Sequence, residues 1–386
     1  MNFPFGERAA EHVSVLAEDI GPRPAGSPPL RRAQAYLEKQ LTRWGYRVDY
    51  APFSYSRHPW LGLIYPAAGL LLLGGSLVFT RRPGLTIGMP LLGAVLPQIS
   101  RVVIQSGGGD KRSRNLTAEQ GGREGDPVLV CCAHLDTAPA LPYRHPGLIW
   151  LHSHRLTIYQ RAAVGLALFS IFRLLGAPVL PEVRSGVIAL CALVGGWMVL
   201  SELLSRGRRD PAYSPGGNDN ASGVGVLLAL AEVLAQHPAE NLRVQFLFTD
   251  AEETGLDGAR AASRKLDPEG TRVINVDQVG AGRDLCFVRR EGTVLPQRTD
   301  PALNDLLRDV HPAIRPLTHT RRAGDYRPFL RAGFRTAALE MTGSDLARRA
   351  YHTVRDTAKV VEGEALGLTA EVLAGVIRQL DRENTA

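Results

Sequence analysis

Two neighbouring glutamates near the middle of the chain, Glu252 and Glu253, have the chemistry of a metal site. They follow the stretch from Asn241 to Phe248, which is mostly apolar and reads as a buried strand. Adjacent carboxylates at the end of such a strand repel one another and are costly to remove from water. A bound cation would offset both costs, so the pattern indicates metal binding. Taken alone, the stretch fits a solvated acidic turn at least as well.

A histidine and an aspartate follow a second apolar run. The segment from Pro127 reads as a strand that ends in His134, and Asp136 comes two residues later. Residues two apart on an extended chain share a face. Asp136 can therefore orient the imidazole of His134 by a hydrogen bond without itself binding a metal. Without other support, a core histidine is the more common explanation of such a pair.

Three further side chains of the same kind lie beside predicted elements. Asp219 lies in a Gly/Asn-rich loop just ahead of a helix, a position that a plain N-cap also explains. Asp277 ends a short apolar strand, and His352 lies in a loop before the last helix. Each of these residues alone has an ordinary structural explanation. Two histidines and several carboxylates together at strand ends and helix starts indicate a shared site more strongly than any one of them does.

The elements around these residues predict an α/β fold in which a mixed, mostly parallel sheet is flanked by helices. The carboxyl ends of parallel strands bind ligands in such folds, so this edge would bring the histidines and carboxylates together. The predicted helices cover about 7–20, 30–44 and 362–380, and the predicted strands about 46–55, 127–134, 242–248, 272–277 and 335–340.

Composition bounds the class of protein. The 386 residues are 45% hydrophobic, and the net charge is +7. No long Lys/Arg run is interleaved with aromatic residues, which argues against nucleic acid as a partner. The cysteines have no C-x-x-C spacing, which favours buried thiols in a reducing compartment. They are Cys131, Cys132, Cys191 and Cys286.

Two apolar insertions interrupt the α/β pattern and predict membrane-spanning hairpins. Residues 60–79 carry no charge over about 20 positions, the length a helix needs to cross a bilayer, and 84–100 form a second uncharged run that contains two prolines. In the other insertion, residues 162–180 are apolar apart from one arginine, and 186–200 are apolar throughout. An even number of crossings in each insertion returns the chain to the same side. Soluble hairpins buried in a dimer are the alternative.

The insertions divide the chain into an α/β domain of residues 1–57, 107–146 and 207–386 and two hairpins at 58–106 and 147–206. Ten basic residues flank the hairpins on the α/β side, whereas the tips carry three, Arg81, Arg82 and Arg184. The amino terminus has no long apolar core of a secretory signal. We therefore expect a multi-pass membrane protein with the α/β domain in the cytoplasm.

Six motifs occur in an order that resembles a known family. They are Gly21–Ser27, His134–Thr137, Asn218–Gly223, Glu252–Gly258, Asn275–Asp277 and Tyr351–Thr353. Together they resemble the di-zinc aminopeptidases related to bacterial leucyl aminopeptidase and the Streptomyces-type aminopeptidase. That family also includes glutaminyl cyclases and the transferrin-receptor ectodomain. The resemblance covers the chain outside the two insertions.

The resemblance implies a role for each motif residue and a peptide substrate. His134 and Asp277 would hold one metal ion, Glu253 and His352 the other, and Asp219 would bridge the two; Glu252 would be the general base, Asp136 would orient His134, and Tyr351 would donate a hydrogen bond to the tetrahedral intermediate. Mixed histidine and carboxylate ligation suits two Zn²⁺ ions, and cobalt or manganese would also fit. The implied reaction is hydrolysis of an amino-terminal peptide bond.

Two alternatives and two departures accompany this resemblance. A glutaminyl-cyclase-like acyltransferase would keep one metal ion, and a non-catalytic binding ectodomain would lose ligands or the base, whereas none is missing here. The family often has Ser-Asp-His where this chain has Gly324, Asp325 and Tyr326. About 85 residues, including a hydrophobic hairpin, separate His134 from Asp219, so we expect a site near the bilayer and membrane-associated substrates. Carboxypeptidase or dipeptidase action, the side-chain preference and the oligomeric state stay open.

Overall fold

The computed structural model describes residues 3–55, 61–77, 82–106, 109–143, 145–206, 212–291, 296–319 and 324–384. The helices are α1 (Phe5–Ser14), α2 (Pro28–Arg43), α3 (Leu61–Leu77), α4 (Pro83–Ser106), α5 (Pro146–Leu174), α6 (Pro181–Arg206), α7 (Ser222–Gln236), α8 (Asp257–Ser263), α9 (Pro301–Val310), α10 (Tyr326–Arg331), α11 (Asp345–Ala350) and α12 (Gly363–Glu383). The strands are β1 (Arg47–Tyr55), β2 (Lys111–Gln120), β3 (Val128–His134), β4 (Arg243–Thr249), β5 (Thr271–Val276), β6 (Asp284–Glu291), β7 (Gln297–Arg298), β8 (Arg315–His319) and β9 (Arg335–Thr342).

The chain folds as two compact units. One, the sheet unit, comprises Met1–Tyr55, Gly109–Ala140 and Ala212–Ala386, and the other, the helical unit, comprises Ser56–Gly108 and Leu141–Pro211. Both predicted hairpin insertions lie within the helical unit, and the candidate metal ligands all lie in the sheet unit.

The strands of the sheet unit form one mixed sheet. Its order is β1-β2-β4-β3-β5-β9-β6-β7, with β8 beside β6. The centre, from β4 through β3 and β5 to β9, is parallel, and antiparallel pairs flank it on both sides. The prediction of a mixed α/β fold is confirmed, with parallel pairing through the middle of the sheet and again between β6 and β8.

Helices cover both faces of the central strands, which explains their continuous apolar runs. On β3, Leu129 and Cys131 pack into the larger core with α1, α7 and α12. Val130 and Cys132, which point the other way, pack with α8 and α10. All four cysteines are buried free thiols, as the spacing predicted.

The sheet unit differs from the sequence prediction in its first helix and in strands β2, β6, β7 and β8, which were not predicted. The helix expected at 7–20 is α1 followed by a π-helical turn over Val15–Ile20. The strand β2 was not expected, because its sequence is polar at most positions. It forms because its backbone pairs with β1 on one side and β4 on the other, and Leu116 and Ala118 are buried in the core.

The helical unit consists of four helices in contact. Helix α3 packs against α4 and α6, and α5 also packs against α4 and α6. The crossing of α3 and α6 is close because glycines face one another: a Cβ atom on Gly69 would lie 2.5 Å from the carbonyl oxygen of Gly195, and one on Gly195 would lie 2.6 Å from that of Gly69. Close approach of helix backbones through small residues is typical of membrane helices.

One helix among the described residues is long and apolar enough to cross a membrane, over Pro181–Ser205. The apolar parts of α3 and α4, Ile64–Leu77 and Gly84–Leu96, are shorter. The four predicted crossings therefore stay a prediction, in which α6 is the strongest candidate by length and composition.

The glycine crossing gives a prediction with a matched control one residue away. We expect Gly195→Ala to destabilise the helical unit by about 1–3 kcal/mol, because the new methyl group would overlap the α3 backbone. An added Cβ at Gly196 meets nothing within 4 Å, so Gly196→Ala should be neutral or stabilising. Thermal unfolding of both variants in detergent, followed by helical circular dichroism, compares them. Equal midpoints would contradict the crossing.

Candidate metal centre

The predicted ligand residues converge on the two carboxylate oxygens of Asp219. Oδ1 of Asp219 lies 3.1 Å from Nε2 of His134, which is also 3.6 Å from Oδ1 of Asp277. Oδ2 of Asp219 lies 3.2 Å from Nε2 of His352, which is also 3.4 Å from Oε2 of Glu253. The structure therefore contains two sets of ligand atoms, each with one histidine and one further carboxylate, and Asp219 belongs to both.

The sheet explains why these residues meet. His134 is the last residue of β3, Asp277 follows β5 directly, and Glu253 lies four residues after β4. These three strands are parallel neighbours, so their carboxyl ends lie at one edge of the sheet. Asp219 reaches the same edge from the loop before α7, and His352 from the loop after α11.

The loop that holds Asp219 is fixed by side chains on both flanks. The carboxylate of Asp356 accepts hydrogen bonds from the backbone amides of Asn218, at 2.8 Å, and Asp219, at 3.0 Å. On the other flank, Asn220 donates to the carbonyl of Val276 at 2.9 Å, next to Asp277. Asp356 was missed as a site residue, although it lies four positions after His352. A carboxylate this close to a candidate ligand was the available signal.

Asp136 contacts the site in a different way from the one expected. Its carboxylate accepts hydrogen bonds from the backbone amides of Glu252 and Glu253, both at 3.1 Å. Nδ1 of His134 lies 3.1 Å from the backbone carbonyl of Asp136 and 3.7 Å from its carboxylate. The carbonyl is thus the closer partner of the imidazole, while the carboxylate fixes the turn that carries the two glutamates.

Arg23, in the first motif, connects the loops of the site through hydrogen bonds and was also missed. Its side chain is fully buried, and its guanidinium donates to five backbone carbonyls. The acceptors are Leu16, Gly21, Leu135, Pro215 and Gly216, at 2.6 to 3.2 Å. Burial lowers the pKa of Arg23 to about 10, and the charges of Asp356, Asp136 and Asp219 oppose that shift. The arginine stays charged and ties the end of β3 to the Asp219 loop.

Loss of the Arg23 guanidinium should destabilise the sheet unit. We expect Arg23→Met to lower the free energy of unfolding of the sheet unit by about 3–5 kcal/mol, because several buried carbonyls would lose a charged donor. Arg31→Met is the control, since Arg31 is exposed and donates one hydrogen bond, to the carbonyl of Gly26. Its effect should stay below about 1 kcal/mol. Chemical denaturation of the two variants measures the difference, and similar losses would contradict the role of Arg23.

Backbone strain is concentrated around the same residues. Outside glycine, positive φ angles occur in the described residues at Ala251 (62°), Leu256 (63°), Gln278 (52°) and His352 (52°). Ala251 precedes Glu252, Gln278 follows Asp277, and His352 is itself a candidate ligand. Such conformations cost about 1–3 kcal/mol each and persist where the surrounding structure fixes them, which is common at functional sites.

The electrostatics of the metal-free site would favour a bound cation. Burial raises the pKa of Glu252, Glu253 and Asp277, and neighbouring carboxylates raise it further. Burial also opposes ionisation of Asp219, but hydrogen bonds with His134 and His352 lower its pKa below the usual range. Among the described residues, Oε1 of Glu253 and Oδ1 of Asp277 are buried without a hydrogen-bond partner. Unpartnered buried carboxylate oxygens are costly, and divalent cations are their natural partners.

Two further features that the sequence singled out are Tyr351 and the segment Gly324–Tyr326. The ring of Tyr351 stacks on the imidazole of His352, with centroids 3.9 Å apart and an interplanar angle of 20°. At the position of the Ser-Asp-His departure, Asp325 is buried and accepts a hydrogen bond from the hydroxyl of Thr249. Tyr326 packs in a small core with Val288 and Ala338. The tyrosine that replaces the histidine is therefore a core residue.

Comparison with known proteins agrees with this site. A model of Peptidase family M28 matches residues 204–377, the part of the chain that holds Asp219, Glu253, Asp277 and His352. No curated protein sequence matches the chain significantly.

Solved structures share the fold. They include a zinc aminopeptidase from Bacillus subtilis (14% identity over 98% of this chain and 96% of that one, TM-score 0.59). A glutaminyl cyclase from Porphyromonas gingivalis is similar over 98% of both chains (16% identity, TM-score 0.57). A leucine aminopeptidase precursor from Bacteroides thetaiotaomicron is similar over 96% of both (15% identity, TM-score 0.56). At these identities the similarity establishes the fold alone. With the match of the Peptidase family M28 model to residues 204–377 and the motifs in order, this part of the chain is similar to that family.

Proposed function

We propose that this protein is a membrane-embedded exopeptidase with a two-metal centre and that it removes amino-terminal residues from peptides. The observation that carries the proposal is the position of Asp219, whose two carboxylate oxygens face different histidines at 3.1 and 3.2 Å. A residue that only supported the fold would not need both oxygens directed at imidazoles with a further carboxylate beside each.

The donor set fits two divalent ions. His134 and Asp277 would hold one, His352 and Glu253 the other, and Asp219 both; one histidine and two carboxylates at each position suit zinc, with cobalt or manganese as substitutes. Bound there, the ions would supply an acidified water and polarisation of the scissile carbonyl.

Glu252 is placed to move the proton. Its backbone amide is fixed by Asp136, and its side chain lies next to the ligand set without contributing to either histidine contact. Burial and the charges of Glu253, Asp325 and Asp277 raise the pKa of Glu252, and His134 lowers it. A carboxylate with this balance can take a proton from water and deliver it to the leaving amine. Tyr351, held against His352, would donate to the developing oxyanion.

The helical unit supports the membrane part of the proposal. Of the 23 exposed large hydrophobic side chains in the described residues, 21 lie in the helical unit, and only Leu346 and Val354 lie in the sheet unit. An outer surface of leucine, valine and phenylalanine is costly in water and suited to lipid. By the distribution of arginines along the sequence, the sheet unit would face the cytoplasm.

A glutaminyl-cyclase-like acyl transfer is the second candidate. It is favoured by the glutaminyl cyclase structures, which are as similar to this chain as the aminopeptidases are. The completeness of both ligand sets argues for the peptidase, since a single-metal cyclase does not require both.

Metal content and substrate range separate these functions. We would measure zinc per chain in detergent-purified protein and assay aminoacyl amides beside peptides with amino-terminal glutamine. Two metal ions with hydrolysis of free-amine substrates would support the aminopeptidase. One metal ion with cyclisation of glutamine would favour the cyclase. Protein that binds no divalent ion and turns over neither substrate would contradict both.

Protonation of the histidines predicts how metal binding depends on pH. Burial lowers the pKa of His352, but the charges and hydrogen bonds of Glu253 and Asp219 outweigh it and raise that pKa to about 10 in the metal-free protein. The protonated imidazole of His352 stabilises the metal-free fold. This contribution is complete below the ordinary histidine pKa, about 6.5, and it is lost as the pH rises through about 10. Because zinc requires neutral imidazole, binding at pH 7 must displace this proton.

We therefore expect zinc affinity to rise with pH between 6 and 8 and at least about one proton to be released per chain at pH 7. Calorimetric titration of the metal-free protein in two buffers of different ionisation enthalpy measures the release. The His352→Gln variant is the control, and it should release fewer protons. Identical heats in both buffers would contradict the raised pKa.

A further inference from the structure

Glu340 is a charged side chain beside the candidate metal centre that belongs to neither ligand set. It lies on β9, the parallel neighbour of β5, and Asp277 follows β5 directly. The backbone amide of Asp277 donates to the carbonyl of Leu339 at 3.1 Å. The amide of Met341 donates to the carbonyl of Gln278, also at 3.1 Å. These two hydrogen bonds hold Glu340 next to Asp277 at the carboxyl edge of the sheet.

The pleat of the sheet places Glu340 on the same face as two of the candidate ligands. Successive side chains of a strand point to opposite faces. The residues next to His134, Asp277 and Glu340 along their strands pack into the larger core on one face. They are Ala133, Val276, Leu339 and Met341. His134, Asp277 and Glu340 therefore share the other face and form a row across β3, β5 and β9, with about 4.8 Å between neighbouring strands.

His319 orients the carboxylate of Glu340. Its Nε2 lies 2.6 Å from Oε2 of Glu340, and the two side chains are 13% and 14% exposed. A carboxylate can accept about four hydrogen bonds, so this contact fixes the group without using its whole capacity. Burial raises the pKa of Asp277, and the charge of Glu340 is among those that raise it further. Glu340 is therefore close enough to act on a charge at the metal centre.

The surroundings of Glu340 favour a cationic partner other than a metal ion. Within the described part of the chain, the group of three or more donor atoms that lie within 4.8 Å of one another consists of His134, Asp219 and Glu253. His319 and Glu340 lie outside that group. An oriented carboxylate beside a catalytic centre is suited to a positively charged group of the substrate, because charge-assisted hydrogen bonds are the strong ones.

We propose that Glu340 selects peptides whose first residue is lysine or arginine by pairing with the cationic end of that side chain. The inference rests on the aminopeptidase activity proposed above and names its substrate class. The first residue of such a substrate carries the scissile carbonyl, so its side chain extends away from the metal centre. A lysine or arginine side chain is long enough to span one strand spacing, about 4.8 Å. The α-amino group is a poorer partner, because one carbon separates it from the scissile carbonyl whereas Glu340 lies one strand beyond Asp277.

The test compares lysinamide with norleucinamide, which has the same side-chain carbons and no charge on them, as substrates of the zinc-loaded full chain in detergent. We expect kcat/KM to be about tenfold to a hundredfold higher for lysinamide, mainly through KM, which is the usual contribution of a hydrogen bond to a charged group. Glu340→Gln should bring the ratio of the two kcat/KM values close to one. Glu340→Asp, which keeps the charge, should retain part of the preference.

Glu119→Gln is the matched control. Glu119 is a partly buried glutamate that pairs with Arg243 at 2.6 Å, and it lies opposite Gln245 near the start of β4, away from the carboxyl edge of the sheet. Its substitution removes the same charge from the sheet unit and should leave the ratio unchanged. Calorimetric binding of the two amides to zinc-loaded Glu252→Gln protein, with and without Glu340→Gln, repeats the comparison without turnover.

Equal kcat/KM values for the two amides in the wild type would overturn the proposal. A preference for lysinamide that survives Glu340→Gln, or that Glu119→Gln removes as well, would also overturn it. Equal weakening of both amides by Glu340→Gln would place the α-amino group, and not the side chain, at Glu340.

Failure to hydrolyse any aminoacyl amide would contradict the proposed function, and the binding measurement then decides the role of Glu340 separately. Tighter binding of lysinamide that Glu340→Gln abolishes would support the proposed selection. Equal binding of lysinamide and norleucinamide would overturn it.

Discussion

Replacement of Glu252 by glutamine should lower kcat for aminoacyl amide hydrolysis by about 10²–10⁴-fold, the usual contribution of a general base. The amide keeps the size of the side chain and removes its ability to accept a proton from water. Among the described residues, the carboxylates within 4.0 Å of the two histidines are those of Asp136, Asp219, Asp277 and Glu253, so the Glu252 variant should bind as much zinc as the wild type. Kinetics on a series of aminoacyl amides, with metal analysis of the same sample, measures both.

The neighbouring glutamate is the control for this result. Glu253 lies 3.4 Å from Nε2 of His352, and Glu253→Gln should lose metal as well as activity. The two results together would assign proton transfer to Glu252 and metal binding to Glu253. If Glu252→Gln retained full kcat, or lost zinc to the same extent as Glu253→Gln, Glu252 would not be the base.

Removal of the shared carboxylate should have the largest effect on metal binding. In Asp219→Asn one oxygen becomes an amide nitrogen and the charge is lost, so both ligand sets are impaired at once. We expect wild-type protein with zinc at about 1,000 times its Kd to gain about 4 kcal/mol of stability, and the variant to gain little of it. Thermal unfolding with and without zinc, beside metal analysis, measures the effect.

Asp277→Asn provides the comparison, because Asp277 contacts one histidine only. It should reduce the metal content by about one ion per chain, whereas Asp219→Asn should reduce it by nearly two. Metal contents that are equal in the two variants would contradict a shared Asp219. A zinc-dependent stabilisation of Asp219→Asn as large as that of the wild type would contradict it as well.

Strands β3, β4 and β5 and the polar residues at their ends could be predicted because local patterns are strong at these positions. Strands β3, β4 and β5 are buried on both faces and therefore apolar throughout, so the first polar residue marks the strand end. His134 ends β3, and Glu252 and Asp277 come shortly after β4 and β5. The family resemblance assigned metal and catalytic roles to them, and those roles stay predictions until the metal is measured.

The elements that were missed or misread depend on distant contacts. β2 has a polar sequence and becomes a strand through its two neighbours in the sheet. Tyr326, at the departure from the family motif, is buried because its ring packs with Val288 of β6 and Ala338 of β9. Neither outcome leaves a trace in the local pattern of the sequence.

The sequence by itself determined that the chain has an α/β core, two apolar insertions and a set of ligand-type residues in family order. Only the tertiary structure decided which atoms face one another. Asp219 is shared between His134 and His352, Arg23 connects carbonyls up to 193 positions away, and the carboxylate of Asp136 supports the Glu252 turn. The composition of the sequence and the spacing of its apolar residues indicate which residues of one helix or strand are buried. Hydrogen bonds between loops depend instead on which loops the edge of the sheet brings together, and only the tertiary structure shows that.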